Sequence, residues 1–108
     1  MKGTNVGELE ELIMLTVALL YDNAYGVAIQ NEIKDRCNRS ITISTVHAAL
    51  ARLQKKGYVD SRYDGATSER GGRRKHLFRL TQTGQKVLIQ VKQQRDSIWE
   101  AIPDVAFN

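Results

Sequence analysis

Two runs of residues in this chain have types and spacing suited to chemistry on a polyanion. The first, between positions 44 and 55, sets Ser44, His47, Ala48, Ala51, Arg52 and Lys55 on one side of a helically patterned segment, with Thr45 beside them at its start. Small residues allow close approach to a groove, hydroxyl and imidazole groups hydrogen-bond base edges, and guanidinium and ammonium groups neutralise phosphates. Thr45, His47 and Ala48, near the start of the segment, are best placed for bases, and Arg52 and Lys55 for phosphate. The second run gathers Arg70, Arg73, Arg74 and Lys75 around Gly71-Gly72. Arginines on such a loop can enter a minor groove or clamp phosphates. Residues 52–79 hold nine Lys/Arg against three acids, whereas the rest of the chain holds seven against nine. DNA is therefore the first candidate partner. Each run alone also reads as a solvated face or a soluble loop; it is their adjacency that favours DNA.

Other chemistries find less support. Ser44, His47 and Asp60 lack the spacing of a nucleophile, its base and an orienting acid, and no glycine-rich phosphate loop opens a helix, so no enzyme is expected. Cys37, His47 and His76 lack the paired spacing of a metal site, and no cofactor is implied. A single cysteine excludes an intrachain disulfide and suits a reducing cytoplasm. The start of the chain shows no signal-peptide pattern, and the apolar run at 12–20, broken by Thr16, falls far short of the ~20 residues that span a bilayer.

The elements that must position these residues can be read along the chain. At 108 residues, one domain with one core is expected. Residues 8–21 carry Leu9, Leu12, Ile13, Thr16, Val17, Leu19 and Leu20 at helical intervals behind Glu8, Glu10 and Glu11, which favour a helix N-terminus. Asp22-Asn23 breaks that helix. A second amphipathic helix follows over 25–36 with Val27, Ile29 and Ile33 inward, and the β-branched stretch at 40–43 suits a single strand rung. Ser44 is a candidate N-cap for the third helix, which ends at Lys56-Gly57. In it Val46, Ala49, Leu50 and Leu53 fall within about one-third of the circumference at about 100° per residue, and that face packs inward. Residues 58–63 alternate as a strand, 76–80 as its partner, and Thr81 caps a last helix from about 82 to 102 that Pro103 terminates.

This order gives a mainly α (α+β) fold, a winged helix-turn-helix. Residues 1–80 form the DNA-binding domain, with the third helix as reader and the two-stranded hairpin as wing. Residues 81–108 add a C-terminal dimerisation helix, all within one compact unit.

The segment STVHAALARLQKKG and the wing GGRRKHLFRLTQTG resemble the PadR family of transcriptional regulators, whose pattern is roughly G-T-L-Y-P-A-L-x-R-L-x-x-x-G followed by a wing ending G-R-x-R-K-x-Y-x-L-T-x-x-G. Thr45, Ala49, Leu50, Arg52, Leu53 and Gly57 match the first part; Arg73 or Arg74, Lys75, Leu80, Thr81 and Gly84 match the second. Tyr25-Gly26 matches a pair in the family's second helix, and the likeness spans roughly residues 8–102. His47 stands where the family usually has tyrosine, Ala48 where it has proline and Phe78 where it has the wing tyrosine, so a tyrosine hydroxyl contact does not carry over. The resemblance implies a cytoplasmic, homodimeric repressor of double-stranded operator DNA, of the compact type with one C-terminal helix. It further implies effectors that act through the dimer region.

The last helix argues for dimerisation on its own. Leu88, Val91, Ile98 and Ile102, with Val87 and Trp99 beside them, form a stripe at three- and four-residue steps. Part of it is expected to pack on the first helix and part on a partner, placing two reader helices about 34 Å apart, one turn of B-DNA. Two Trp99 rings near a dimer axis could sandwich a flat aromatic or cationic effector; an ordinary interface tryptophan explains the residue equally well. Two alternatives to this repressor remain at this point: a winged-helix protein–protein module and another small winged-helix repressor family.

Overall fold

The computed structural model describes residues 6–64 and 75–108. Four helices and a hairpin follow one another: α1 (Glu8–Leu20), α2 (Gly26–Cys37), α3 (Ile43–Lys55), β1 (Val59–Asp64), β2 (Lys75–Leu80) and α4 (Gln82–Ala101), with short 3-10 turns at Tyr21–Asn23 and Asp104–Phe107. This is a winged helix-turn-helix, as the order of elements predicts. Arg70, Arg73 and Arg74 lie outside the described residues.

Helices α1, α2 and α3 enclose one core in which Ile13, Met14, Val17, Ile29, Ile33, Val46, Leu50 and Leu53 are essentially solvent-free. The interval rule explains α2 and corrects one expectation for it. Gly26, Ile29 and Ile33 share a face and are buried, whereas Val27, one residue and about 100° round from Gly26, is half exposed. Asn38 closes α2 in the left-handed conformation at φ 51°, its amide donating to the Lys34 carbonyl.

No strand forms at 40–43. The third helix begins there instead, because Thr42 rather than Ser44 is its N-cap: the Thr42 Oγ1 accepts from the Thr45 amide at 3.2 Å. The extra sheet rung lies elsewhere, at Tyr25, which bridges Leu77, while the Phe78 amide donates to the Ala24 carbonyl at 2.8 Å. The chain entering α2 is thereby pinned to the outer side of β2. Gly57, at φ 83°, supplies the left-handed turn out of α3, and the Tyr58 amide closes that turn on the Leu53 carbonyl.

The hairpin pairs Val59 with Leu80 and Asp64 with Lys75 in antiparallel register. Thr81 then does two tasks. Its hydroxyl donates to the Gly57 carbonyl at 2.6 Å and accepts from the Gly84 amide at 3.0 Å, so one side chain caps α4 and ties it to the end of α3. Gly84 sits so close to β1 that a Cβ there would lie 2.1 Å from the Tyr58 carbonyl oxygen. Helix α4 buries Val87 and Val91, runs beside α1, and beyond that point has little of the protomer beneath it. About 15 Å of helix follows Val91. The radius of gyration is correspondingly 16.3 Å, where a compact chain of this length has about 13 Å.

Because the obstacle at Gly84 is backbone and not a movable side-chain end, Gly84→Ala must push α4 away from the hairpin. A loss of about 1–3 kcal/mol is expected in urea unfolding, with no such loss for alanine at the exposed neighbour Gln85. Equal midpoints for the two variants would contradict the close approach.

Candidate nucleic-acid interface

Helix α3 separates cleanly into two faces. Val46, Ala49, Leu50 and Leu53 are buried; Ser44, Thr45, His47, Ala48, Ala51, Arg52 and Lys55 are exposed along the opposite side. At its first turn three hydroxyls meet: Thr42 Oγ1 donates to Thr45 Oγ1 at 2.8 Å and lies 3.2 Å from Ser44 Oγ. Thr42 is not among the residues that the sequence pattern singles out. The signal available for it is the cap spacing, a Thr three residues before the amide it receives.

An aromatic row carries this face onto the hairpin. His47 lies 6.4 Å from Phe78, Phe78 lies 4.5 Å from His76, and His76 stacks on its cross-strand partner Tyr63 at 4.4 Å. Burial, and after it the field of His47, holds the His76 imidazole below the usual histidine pKa. At neutral pH it is thus an uncharged stacking partner. His47 also closes on α2, since a Cβ at Gly26 would lie 2.6 Å from its Nε2. Lys75 stands 4.8 Å over the Tyr25 ring, a cation–π contact that joins the wing to the start of α2. The structure thus places Ser44, Thr45, His47, Ala48 and Lys55 on one exposed face of α3 and joins that helix to the hairpin through His47 and Phe78, with Lys75 exposed on β2; the other nominated wing residues, Arg70, Arg73 and Arg74, are outside the described residues.

Arg52 differs from its neighbours. Its Nε donates to Glu10 Oε2 at 2.8 Å, and Lys56 Nζ donates to Glu10 Oε1 at 2.7 Å. Glu10 comes from the first turn of α1 and is nearly buried. Burial alone would raise its carboxyl, but the hydrogen bonds from Lys56, Arg52 and the Gly7 amide together outweigh it and leave the pKa lowered. No sequence signal points to this group, because its partners lie 42 and 46 residues away.

The nominated dimerisation residues fall into two sets. Val91 is buried in the protomer's own core and Leu88 is half-buried against it, the part of the stripe that packs within the protomer. Ile98 and Trp99 are 68% and 64% exposed, and Ile102 is half-buried. Leu15 on α1 and Ile89 on α4 are also exposed, and the sequence pattern does not single them out. Leu15, Leu88 and Ile89 line an open groove of about 420 Å³ beside Trp99. Its charged rim is paired within the protomer, Arg95 with Glu11 at 2.6 Å and Lys92 with Asp96 at 2.6 Å. No described helix is long and apolar enough to cross a membrane.

The comparisons with known proteins agree with this geometry. The family model of the Transcriptional regulator PadR-like family matches residues 14–90. The crystal structure of a PadR family transcription regulator from Clostridium difficile R20291 is 32% identical, with 87% of this chain and 93% of that one covered at a TM-score of 0.68. A PadR family regulator from Eggerthella lenta DSM 2243 is 27% identical over 86% of this chain and 80% of that one, at a TM-score of 0.66. The fold is shared as far as a PadR-like regulator from Bacillus cereus ATCC 14579, 15% identical over 93% and 92% of the two chains at 0.74. No protein of curated function matches the chain.

The lowered Glu10 carboxyl has a consequence for acid stability. Its folded pKa lies below the unfolded value, so its contribution is present above about pH 4.5 and is lost as pH falls through the lower folded value. Urea midpoints measured downward from pH 5 should therefore fall less steeply in Glu10→Gln than in the wild type. Parallel curves would remove the clamp from the acid response.

Proposed function

Because the chain belongs to the Transcriptional regulator PadR-like family, whose members and structural neighbours are transcription regulators and not enzymes, we propose that it represses transcription as a homodimer on double-stranded operator DNA. The observation that carries this reading is the exposed face of α3 set beside the exposed Tyr63 and Lys75 of the hairpin, with the buried Phe78 ring linking His47 to His76 beneath them. On it Thr45, His47 and Ala48 meet base edges, with Ser44 at the same turn, and Lys55 and Lys75 meet phosphates together with Arg70, Arg73 and Arg74. The location that goes with this work is the cytoplasm. A protein–protein module is the weaker reading, since a helix face with small residues at its start and cations further on suits a groove better than a flat acidic surface.

The dimer reading rests on α4. Beyond Val91 its apolar side chains have almost nothing of their own protomer to cover, and the exposed Leu15 and Leu19 of α1 offer a second apolar strip. A symmetric pairing buries both and sets two α3 helices one DNA turn apart. A flat aromatic or cationic effector would then stack between two Trp99 rings at the groove.

Fluorescence anisotropy on the DNA upstream of its own gene and on a scrambled duplex, across a salt series, tests the first claim. Tight binding to the upstream DNA alone, falling steeply with salt, is expected. Arg73→Ala/Arg74→Ala should weaken both complexes and flatten the salt slope by about 0.9 for each phosphate that is no longer neutralised. Thr45→Ala should weaken the operator complex alone, by about 1–3 kcal/mol. No binding at low salt overturns the regulator.

For the dimer, Ile98→Glu should sediment as a monomer while keeping the wild-type far-ultraviolet spectrum, because Ile98 touches little of its own protomer. A dimer that survives this change lies elsewhere. Tryptophan emission that stays constant across aromatic cations and phenolates removes the effector.

A further inference from the structure

The basic surface contains one acid that the linear charge count places outside it. Glu10 arrives from α1, its side chain only 9% exposed, and each of its oxygens is taken by a cation of the reader segment: Arg52 at 2.8 Å and Lys56 at 2.7 Å. The Gly7 amide adds a third donor at 3.3 Å to Oε1. A carboxylate so enclosed cannot swing into solvent to release its partners. Arg52 is different, with a side chain 53% exposed on the face proposed to meet DNA, yet its Nε is committed to a carboxylate whose single charge it shares with Lys56. Lys55, three residues on and about 60° away round the helix, makes no ion pair among the described residues.

We propose that Glu10 is a positioning residue that withholds Arg52 from the DNA backbone and thereby sets the ratio of specific to non-specific binding. The proposal rests on the DNA-binding reading above and deepens it. Sequence-independent affinity grows with the number of phosphates neutralised, whereas base contacts carry no such dependence. A phosphate that approached Arg52 would have to settle beside a fixed, desolvated carboxylate. Neutralising one cation towards the C-terminal end of α3 therefore trims binding to any sequence. It leaves Thr45 and His47, at the other end of the helix, to discriminate. Arg52 in turn is held in one orientation, directed at α1.

Glu10→Gln keeps the size of the side chain and an acceptor oxygen while removing the charge. The test compares the full-length wild type, Glu10→Gln, Arg52→Gln and the double variant on a random-sequence duplex through a salt series, with thermal unfolding of each recorded in the same buffers. Glu10→Gln should steepen the slope of log affinity against log salt by about 0.9 and tighten random-duplex binding several-fold at low salt. Arg52→Gln alone should leave the slope unchanged, and in the double variant the gain from Glu10→Gln should vanish. A slope flattened by about 0.9 in Arg52→Gln alone would overturn the proposal, because Arg52 would already hold a phosphate. So would a gain that persists in the double variant, or an unchanged slope in a Glu10→Gln protein that melts as a folded one. If Glu10→Gln does not fold, the Arg52→Gln arm decides between the same two outcomes. Wild-type protein that binds no duplex at low salt overturns the DNA reading itself, and this proposal with it.

Discussion

Helix α1 packs at once against α2, α3, β2 and α4, and the arrangement of the remaining elements depends on how its faces are shared out. Ile13, Met14 and Val17 supply the fully buried stripe. Around it the first turn distributes three carboxylates: Glu8 to Arg39 in the α2–α3 connection, Glu10 to Arg52 and Lys56 at α3, and Glu11 to Arg95 on α4. The three are not equivalent. Glu8 and Arg39 are substantially exposed, so their pair is screened and adds little to stability. Glu10 is desolvated and multiply bonded, so losing both Arg52 and Lys56 would strand a buried charge, whereas losing one leaves it paired with the other. Apolar burial fixes where α1 lies; the ion pairs fix its rotation relative to the reader helix.

What could be read along the chain was what is decided locally. Thr81 as a cap, Pro103 as a stop, and the apolar stripe of α3 each depend on neighbours within one helical turn, and all three appear where expected. The departures arise where two local solutions compete or where the partner is distant. Thr42 and Ser44 are both reasonable caps, and only the reach of a hydroxyl to the third amide of the helix favours Thr42. Ile41 and Ile43 look like a strand by composition, but the edge of β2 is already occupied by Tyr25. Val27 is as apolar as Ile29, yet it lies on the wrong side of α2.

Charge shows the same limit more sharply. A count along residues 52–79 describes a strongly basic segment, but electrostatic fields follow space, not chain order. Glu10 crosses from the N-terminal helix into that surface, and Asp22 stands 3.9 Å from Arg62 on the hairpin. Both acids belong to the stretch that the count sets apart as mildly acidic. The basic surface is therefore more selective than it looks in one dimension, with Lys55 and Lys75 exposed and Arg52 held back.

Helix α4 carries the remaining tension. Its apolar positions form one stripe by spacing, yet the protomer can cover only the first half of it, through Val87 and Val91. A helix twists its apolar stripe slowly around its axis, and α1 ends its contact near Glu11 and Arg95, so the later positions face solvent. Extending a helix past its own core exposes Ile98 and Trp99 and lowers the solubility of a lone protomer, and the Phe107 ring, 6.1 Å from Trp99, offsets this only in part. In the proposed dimer a second copy would, because the first half of each α4 lies beside an α1 whose Leu15 and Leu19 are themselves uncovered. The side chains that one protomer cannot bury are thus matched in kind by those that the other leaves open. In such an arrangement the spacing of the reader helices would be set by the length of α4, and not by the wing.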